Sequence, residues 1–234
     1  VLVCDLSTGD LVDQSQQATI LQPSGVAYSS DGRWLYTSGA RILRWDARTS
    51  LSSQVPVEIV SNGEPYSDRT SLCGRYLADA TKTNVTLLDT TRLDASTEAQ
   101  ELIVFDSRTS MAGRAFSPDG EQFACADADG DVYVISTGKN RDNVRTRISW
   151  RASEYEVTDF AFTQDGKYLA TASRAETVRI WHIATQELVR VFVDESIVYC
   201  VEFAPDGKTL VAGNDSGQVN VWDTEFLAEP GSSR

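Results

Sequence analysis

The chain has 234 residues, and its 41% hydrophobic content is that of a globular protein able to bury a large core. It carries 34 acidic and 21 basic side chains, a formal net charge of −13. This charge repels nucleic acids and anionic membranes, so we expect neither as a partner, and no apolar run approaches the roughly 20 residues that a membrane-spanning helix needs.

Six short apolar strands end in a Trp-Asp-like pair, and these pairs recur along the whole chain. They are Cys4-Asp5, Trp45-Asp46, Leu88-Asp89, Ile135-Ser136, Trp181-His182 and Trp222-Asp223. The first residues of successive pairs are 41, 43, 47, 46 and 41 positions apart. A second set of pairs, each ending in Gly, recurs in phase with the first set. These pairs are Asp31-Gly32, Cys73-Gly74, Asp119-Gly120, Asp165-Gly166 and Asp206-Gly207. A period of about 40–45 residues is typical of a β-propeller, whose units are small sheets that pack against their neighbours.

The unit between residues 155 and 193 shows the pattern most clearly. Residues 157–162 alternate as a strand does, and Asp165-Gly166 predicts the tight turn into a second strand. A third strand ends at Trp181, and residues 187–193 predict a half-polar fourth strand at the outer edge of the sheet. Four short antiparallel strands joined by turns make one propeller blade.

The same interpretation extends over the chain. It places the first three strands of five blades at about 24–46, 65–89, 111–136, 156–182 and 197–223, and outer strands at 55–60, 102–106 and 144–150. Residues 1–6 and about 10–16 match the last two strands of a further half blade, and residues 91–100 are predicted to be a loop insertion. We therefore predict an all-β fold, a β-propeller of four-stranded antiparallel blades over residues 1–225, with a C-terminal tail at 226–234.

Two segments carry a resemblance to a known family. Ser117-Pro118-Asp119-Gly120 and Ala204-Pro205-Asp206-Gly207, with later strands such as 219–223, resemble the repeats of WD-repeat (WD40-type) proteins. The resemblance covers nearly the whole chain. It implies a propeller, usually of seven blades, that serves as a platform for protein interactions.

The sequence departs from the family pattern in its polar residues. The family often joins a His, a Ser or Thr, an Asp and the Trp of each blade by hydrogen bonds. Here the only histidine is His182, which stands where an Asp usually follows the Trp. Thr171 with Trp181, and Thr37 with Trp45, keep two members each, so we expect apolar packing rather than polar networks to dominate stability.

The second blade is the weakest match to the family. Asp68 and Arg69 stand in its first strand where apolar residues and Ala usually fall. This predicts either a distorted blade or a polar pair that faces a partner, and we favour distortion.

A count of strands predicts an incomplete ring. The half blade lacks its first two strands, and residues 226–231 offer no convincing fourth strand for the last blade. Since the chain also starts with Val1, we expect a fragment of a longer polypeptide, and seven blades would need about 60–70 further N-terminal residues. The alternative is a five-bladed ring in which residues 11–16 pair with 219–223 and residues 1–6 are left over.

The four cysteines are spread evenly, which argues against a metal clip or a disulfide framework. Cys4, Cys125 and Cys200 lie within apolar strand patterns, and Cys73 lies at a turn. We expect buried thiols in a reducing compartment, and therefore a cytoplasmic protein. The first residues also lack the basic flank and apolar run of a signal peptide.

The sequence shows no catalytic or metal-binding constellation. One histidine excludes a histidine cluster. The run from Asp127 to Asp131 resembles the start of a calcium loop, but Lys139 stands near the place of the closing Glu. The paired acids Asp194 and Glu195 fall in a turn without an evident apolar pocket. We therefore predict no catalytic residue, no metal and no cofactor.

The resemblance also implies where a partner protein binds. Family members commonly use the rim formed by the turns after the second strand and before the first. The strand pattern places these residues on that rim: Tyr66, Thr158, Tyr199, Arg174, Asp127, Asn214 and Asp215, with Glu154 and Glu195 nearby. Exposed Tyr is a favoured anchor, because it offers a large contact area at a small entropic cost.

Three classes of function remain open. The favoured one is a non-enzymatic interaction scaffold whose partner is another protein or another domain of the same polypeptide. The second is the ligand-sensing propeller of a bacterial signalling ATPase, which a P-loop elsewhere in the polypeptide would indicate. The third is a propeller enzyme, which is disfavoured because the metal or cofactor ligands of such enzymes are missing here.

Overall fold

The computed structural model of this chain describes residues 2–4, 11–14, 25–29, 31–38, 42–51, 53, 55–59, 71–73, 76–80, 84–89, 101–106, 111–137 and 147–227. These residues belong to two compact units, Val1–Asp106 and Ser107–Arg234. The predictions for Tyr66, Asp68 and Arg69, the loop insertion at 91–100 and most of the C-terminal tail lie outside the described residues.

The described residues of unit 1 form three antiparallel sheets. The half blade pairs β1 (Leu2–Cys4) with β2 (Leu11–Gln14). Blade 1 has the order β3-β4-β5-β6, and blade 2 the order β7-β8-β9-β10. Their strands are β3 (Gly25–Tyr28), β4 (Trp34–Ser38), β5 (Ile42–Asp46), β6 (Val57–Ile59), β7 (Ser71–Cys73), β8 (Tyr76–Ala80), β9 (Asn84–Asp89) and β10 (Glu101–Asp106).

In unit 2 the described residues form three more sheets, which we call blades 3, 4 and 5. Blade 3 has the order β11-β12-β13-β14, blade 4 the order β15-β16-β17-β18, and blade 5 the order β19-β20-β21. Their strands are β11 (Met111–Phe116), β12 (Gln122–Asp127), β13 (Asp131–Ser136), β14 (Arg147–Arg151), β15 (Val157–Phe162), β16 (Tyr168–Ser173), β17 (Thr177–His182), β18 (Glu187–Val193), β19 (Val198–Phe203), β20 (Thr209–Asn214) and β21 (Val219–Asp223). A short 3-10 helix, Glu225–Leu227, follows β21.

The predicted fold class is confirmed. Every described sheet is antiparallel, four of the six have four strands, and the helical content of the described residues is a single 3-10 turn. Blade 5 is three-stranded among the described residues, and the 3-10 turn Glu225–Leu227 follows its third strand. The seven-bladed ring stays a prediction.

A repeated side-chain motif shapes the turn between the first and second strands. In blade 3 the Ser117 hydroxyl donates to Asp119 Oδ1 (2.6 Å), which also accepts the Glu121 backbone N–H (2.9 Å). Blades 1 and 4 repeat this arrangement with Ser29–Asp31 (2.5 Å) and Thr163–Asp165 (2.7 Å). The glycine after each of these acids has φ between 66° and 70°, a region that glycine adopts without strain.

The core of unit 2 lies between its blades. One face of blade 4 presents Phe160, Leu169 and Trp181 to blade 3, while the other presents residues such as Ile180 to blade 5. Trp181 lies 5.9 Å from Trp150 between ring centroids. Each fully buried large apolar side chain contributes about 1.5–3 kcal/mol, so interblade packing holds unit 2 together.

The threonine–tryptophan pairs predicted from the sequence are present. Trp181 Nε1 donates to Thr171 Oγ1, and Trp45 Nε1 donates to Thr37 Oγ1, both at 3.1 Å. All four side chains are buried. In unit 1, Trp45 also packs in a cluster with Leu35 and Leu51.

One burial prediction is wrong. Cys125 is buried as expected, but Cys200 is exposed. A bulge between Val198 and Cys200 shifts the alternation of β19, and Cys200 then lies opposite Gly213. Its side chain is on the face of blade 5 that does not pack against blade 4, whereas Val201 and Phe203 point into the shared core.

The residue after the blade tryptophan closes the following turn. Asp46 Oδ1 accepts the Arg48 backbone N–H (3.0 Å), and Asp223 Oδ1 accepts that of Glu225 (2.7 Å). His182 stands in the same place in blade 4, where its Nδ1 accepts the Thr185 backbone N–H (3.3 Å). The imidazole therefore replaces the carboxylate as a turn acceptor, which explains why the only histidine can stand at an Asp position.

Candidate functional site

One edge of unit 2 gathers the turns between second and third strands and the connections from blade to blade. Backbone hydrogen bonds join the two sets: Arg174 N–H donates to Glu156 O, and Asp215 N–H donates to Ile197 O, both at 3.0 Å. We call this surface the connection rim. It comprises the turns 127–131, 173–177 and 214–218 and the connections 151–156 and 193–197.

An ion pair organises the middle of the connection rim. Arg174 Nε donates to Glu156 Oε2 at 2.7 Å, and both side chains keep more than a third of their surface exposed. The hydrogen bond to Glu156 raises the pKa of Arg174 above its usual value, and Tyr199 adds a smaller electrostatic contribution. Solvent screens such a pair, so it orients side chains more than it stabilises the fold.

Two exposed tyrosines accompany this ion pair. Tyr199 is 44% exposed on β19, and Tyr155, which precedes Glu156, is 59% exposed. Tyr155 was not predicted as a site residue, although its place just before the first strand of blade 4 is a signal for it. The acids Glu154, Glu195 and Asp215 of the connection rim are exposed as well.

Three predicted site residues are buried and bonded within the unit. Asp127 closes its own turn by accepting the Asp129 and Asp131 backbone N–H groups and the Tyr133 hydroxyl. Thr158 donates its hydroxyl to the Val198 carbonyl of the next blade (2.5 Å). Asn214 is 8% exposed and accepts from Gln218 N–H and from the Ser216 hydroxyl.

Of the predicted set, the structure therefore leaves Tyr199, Arg174 and Asp215 at the surface of the connection rim. The role of each as a partner contact stays a prediction.

A polar cluster that sequence reasoning missed lies beneath the connection rim. Asp194, 6% exposed, accepts from Asn214 Nδ2 at 2.7 Å and from Asn220 Nδ2 at 2.6 Å. It also accepts the backbone N–H groups of Glu195 and Ser196. Burial by itself would raise the pKa of Asp194, but these four hydrogen bonds outweigh it, and the pKa lies below its usual value. Because Asp194 follows β18 and both amides belong to blade 5, we call this cluster the Asp194 clasp.

A second carboxylate accepts a hydrogen bond between the same two blades, at their inner strands. Asp159 Oδ2 of β15 accepts the Val201 backbone N–H of β19 at 3.0 Å. Partial desolvation raises the pKa of Glu202, which lies next to Val201 and stays exposed, and the charge of Asp159 raises it further. The two acids therefore repel each other.

The described residues contain no group of three or more His, Cys, Asp or Glu side chains placed to hold a metal ion. Nor does this part of the chain contain a helix that is both long and apolar enough to cross a membrane.

A family model described as "WD domain, G-beta repeat" matches residues 104–136, 145–182 and 186–223. The three matches run from the end of β10 to β21, and they contain every segment of the connection rim. Each matched repeat therefore joins the outer strand of one blade to the first three strands of the next blade, so the repeat is offset by one strand from the sheet.

The chain is similar to curated proteins that include one named for WD repeats, one complex subunit and one RNA-associated protein. The chain is 30% identical over 175 residues to the uncharacterized WD repeat-containing protein sll1491 of Synechocystis, which covers 71% of this chain and 47% of the relative. It is 26% identical over 125 residues to the target of rapamycin complex subunit LST8 of Mus musculus (50% and 37%). It is also 26% identical over 145 residues to the U3 small nucleolar RNA-associated protein 18 homolog of Caenorhabditis elegans (58% and 34%).

The chain thus spans less than half the length of each of these relatives. Three matched repeats, the antiparallel four-stranded sheets over which they extend and a relative named for WD repeats lead to one conclusion. The chain belongs to the WD-repeat family.

Proposed function

We propose that this chain is a non-enzymatic interaction module that binds a partner protein on the connection rim of unit 2. The observation that carries the proposal is the exposure of Tyr155 and Tyr199 beside the Arg174–Glu156 ion pair. Aromatic and Arg side chains are the residue types that most often dominate binding energy at protein interfaces. The name of the LST8 relative, a complex subunit, supports a protein as the partner.

The proposal extends to the rest of the protein. Residues 1–225 belong to one WD-repeat propeller, residues 226–234 are its tail, and the propeller works in the cytoplasm, alone or beside other domains of its polypeptide. No cofactor is needed. The net charge of −13 disfavours nucleic acids and anionic membranes as direct partners, even though one relative is named as an RNA-associated protein.

The test compares two double variants of the protein. Arg174→Ala with Tyr199→Ala removes the centre of the connection rim. The control, Lys208→Ala with Glu225→Ala, removes an exposed ion pair (3.3 Å) at the opposite end of blade 5. Each protein is recovered from its native cells after crosslinking, and the crosslinked peptides are identified by mass spectrometry.

We expect one partner to crosslink to the connection rim in the native protein and in the control, and to be lost from the Arg174/Tyr199 variant. A partner that is recovered equally with all three proteins would contradict the proposed site. Crosslinks confined to residues outside the connection rim would do the same.

A further inference from the structure

The outer strand of blade 4 differs from the outer strands of the other blades. β18 has seven residues, more than any other described strand, and all except Phe192 are exposed. In the described sheets it pairs with β17 on one side only, so its other edge presents unpaired backbone donors and acceptors.

Aliphatic side chains cover this strand. Leu188, Val191 and Val193 are 47%, 40% and 76% exposed. They lie opposite Trp181, Arg179 and Thr177 of β17, and opposite residues share a face of the sheet. Since Trp181 packs toward blade 3, the three aliphatic side chains lie on that face, and we call them the β18 strip.

The charge within β18 is turned away from the strip. The Arg190 guanidinium lies 4.5 Å from the centroid of the Phe226 ring, on the side of blade 5. Phe192 also points to blade 5, where it stacks on Trp222 with centroids 4.8 Å apart. The face of β18 toward blade 3 is therefore aliphatic.

Other outer strands have features that discourage pairing. β6 has only three residues, and β14 has Arg at both ends, one of which, Arg151, forms an ion pair with Asp131 (3.7 Å). Short edges and edge charges are common ways of preventing unwanted strand addition. β18 is long and ends in the uncharged Val193, so at that end neither a short edge nor an edge charge discourages pairing.

We propose that β18 is a docking edge for an extended segment of a partner protein, aliphatic at alternate positions and flanked by basic residues. Such a segment adds a fifth strand to blade 4: its backbone pairs with the free edge, and its aliphatic side chains cover the β18 strip. This surface runs along the outer edge of β18 and meets the connection rim only where the strand ends, at Val193.

Charge selects this occupant over a second copy of the chain. Exposed acids flank β18 at both ends: Glu187 at its start, and Glu176 and Glu195 beside its end. Antiparallel pairing of two copies sets the start of one strand against the end of the other, so acids would face acids between two chains of net charge −13. Lysines or arginines at the ends of a partner segment meet the same acids favourably.

The test uses a fluorescent peptide in which valine and threonine alternate between two lysines at each end, and anisotropy measures its binding to the 234-residue chain. We expect the Val191→Lys/Val193→Lys variant to bind the peptide at least about tenfold more weakly. The added lysines discourage strand pairing at this edge and repel the lysines of the peptide. Val193→Lys alone, at the most exposed position of the strip, gives a smaller loss. Val219→Lys is the control, since Val219 is 66% exposed on β21, and it binds like the native chain.

Peptide variants separate strand addition from simple charge attraction. Replacing the valines by serine, or N-methylating alternate residues, keeps the four lysines and should abolish most of the binding. The proposal is overturned if the native chain does not bind the peptide, if the serine peptide binds equally well, or if Val219→Lys rather than Val191→Lys/Val193→Lys weakens binding. Sedimentation showing a native dimer that the Val191→Lys/Val193→Lys variant dissociates would make a second copy the occupant and would also overturn it.

Discussion

Replacing Asp194 by Ala should destabilise unit 2 more than any other loss of a single carboxylate among the described residues. The change removes one acceptor group that serves Asn214, Asn220 and two backbone N–H groups at 2.6–3.2 Å. Hydrogen bonds to a charged group contribute about 1.5–3 kcal/mol each, but water can replace some of those lost at the half-exposed Asn220. We therefore expect a loss of about 2–4 kcal/mol in the free energy of unfolding.

The pKa of Asp194 gives the same prediction a pH dependence. Because the pKa of Asp194 in the folded chain lies below its ordinary value, the ionised form favours folding. The contribution of Asp194 is complete above the pKa of the unfolded chain and is lost as the pH falls through the lower pKa of the folded chain. The stability difference between the native protein and Asp194→Ala should thus be full at neutral pH and shrink below pH about 4.

Urea unfolding followed by tryptophan fluorescence measures both effects, since Trp150, Trp181 and Trp222 lie in the packed blades of unit 2. Asp206→Ala is the matched control: Asp206 is exposed and accepts one backbone N–H, from Lys208 at 2.9 Å, so we expect a loss of about 1 kcal/mol or less. If Asp194→Ala costs no more than this control, or if its cost does not change with pH, the Asp194 clasp does not hold blades 4 and 5 together.

Two further changes test the internal contacts of the blades. Thr171→Val should cost about 1–3 kcal/mol in urea unfolding, because Trp181 Nε1 stays buried without its acceptor; an unchanged midpoint would show that the pair adds nothing. Gly130→Ala should cost about 3 kcal/mol or more in the same measurement, since its φ is 88° and a Cβ would collide with Ser153 O and lie 2.7 Å from Tyr155 O. The control is Gly207→Ala, at φ 68° with open space around it, which should lower the free energy of unfolding by about 1 kcal/mol. Equal losses of stability in the two variants would refute the collision at Gly130.

The sequence predicts the blades well because each blade depends on local patterns. The Asp-Gly turns, the alternation of the strands and the Trp at the end of the third strand all act within about 40 residues. Thr171 and Trp181 are ten residues apart on neighbouring strands, so their hydrogen bond follows from the hairpin register alone. Such contacts can be predicted without knowing how one blade meets the next.

The Asp194 clasp could not be predicted in this way, because its members come from two blades. Asp194 and Asn220 are 26 residues apart, and their contact depends on how the connection after β18 enters blade 5. The sequence showed Asp194 as one of two acids in a turn, a pattern that usually belongs to solvated loops. The exposure of Cys200 escaped prediction for a related reason, since one bulge in β19 reverses which face each side chain occupies.

The placement of these polar groups bears on how the connection rim can keep a binding surface. In blade 5 the tryptophan has no threonine beneath it, because Ala212 stands where blade 4 has Thr171. The Asp194 clasp supplies buried hydrogen bonds there instead, and it fixes the backbone of residues 194–196, which belong to the connection rim. Because buried hydrogen bonds already fix the backbone of this connection, its exposed side chains are not needed to stabilise it. Glu195 on the connection and Tyr199 on β19 therefore face solvent. The interior network of this blade therefore stabilises the fold while it leaves the outer surface available to a partner.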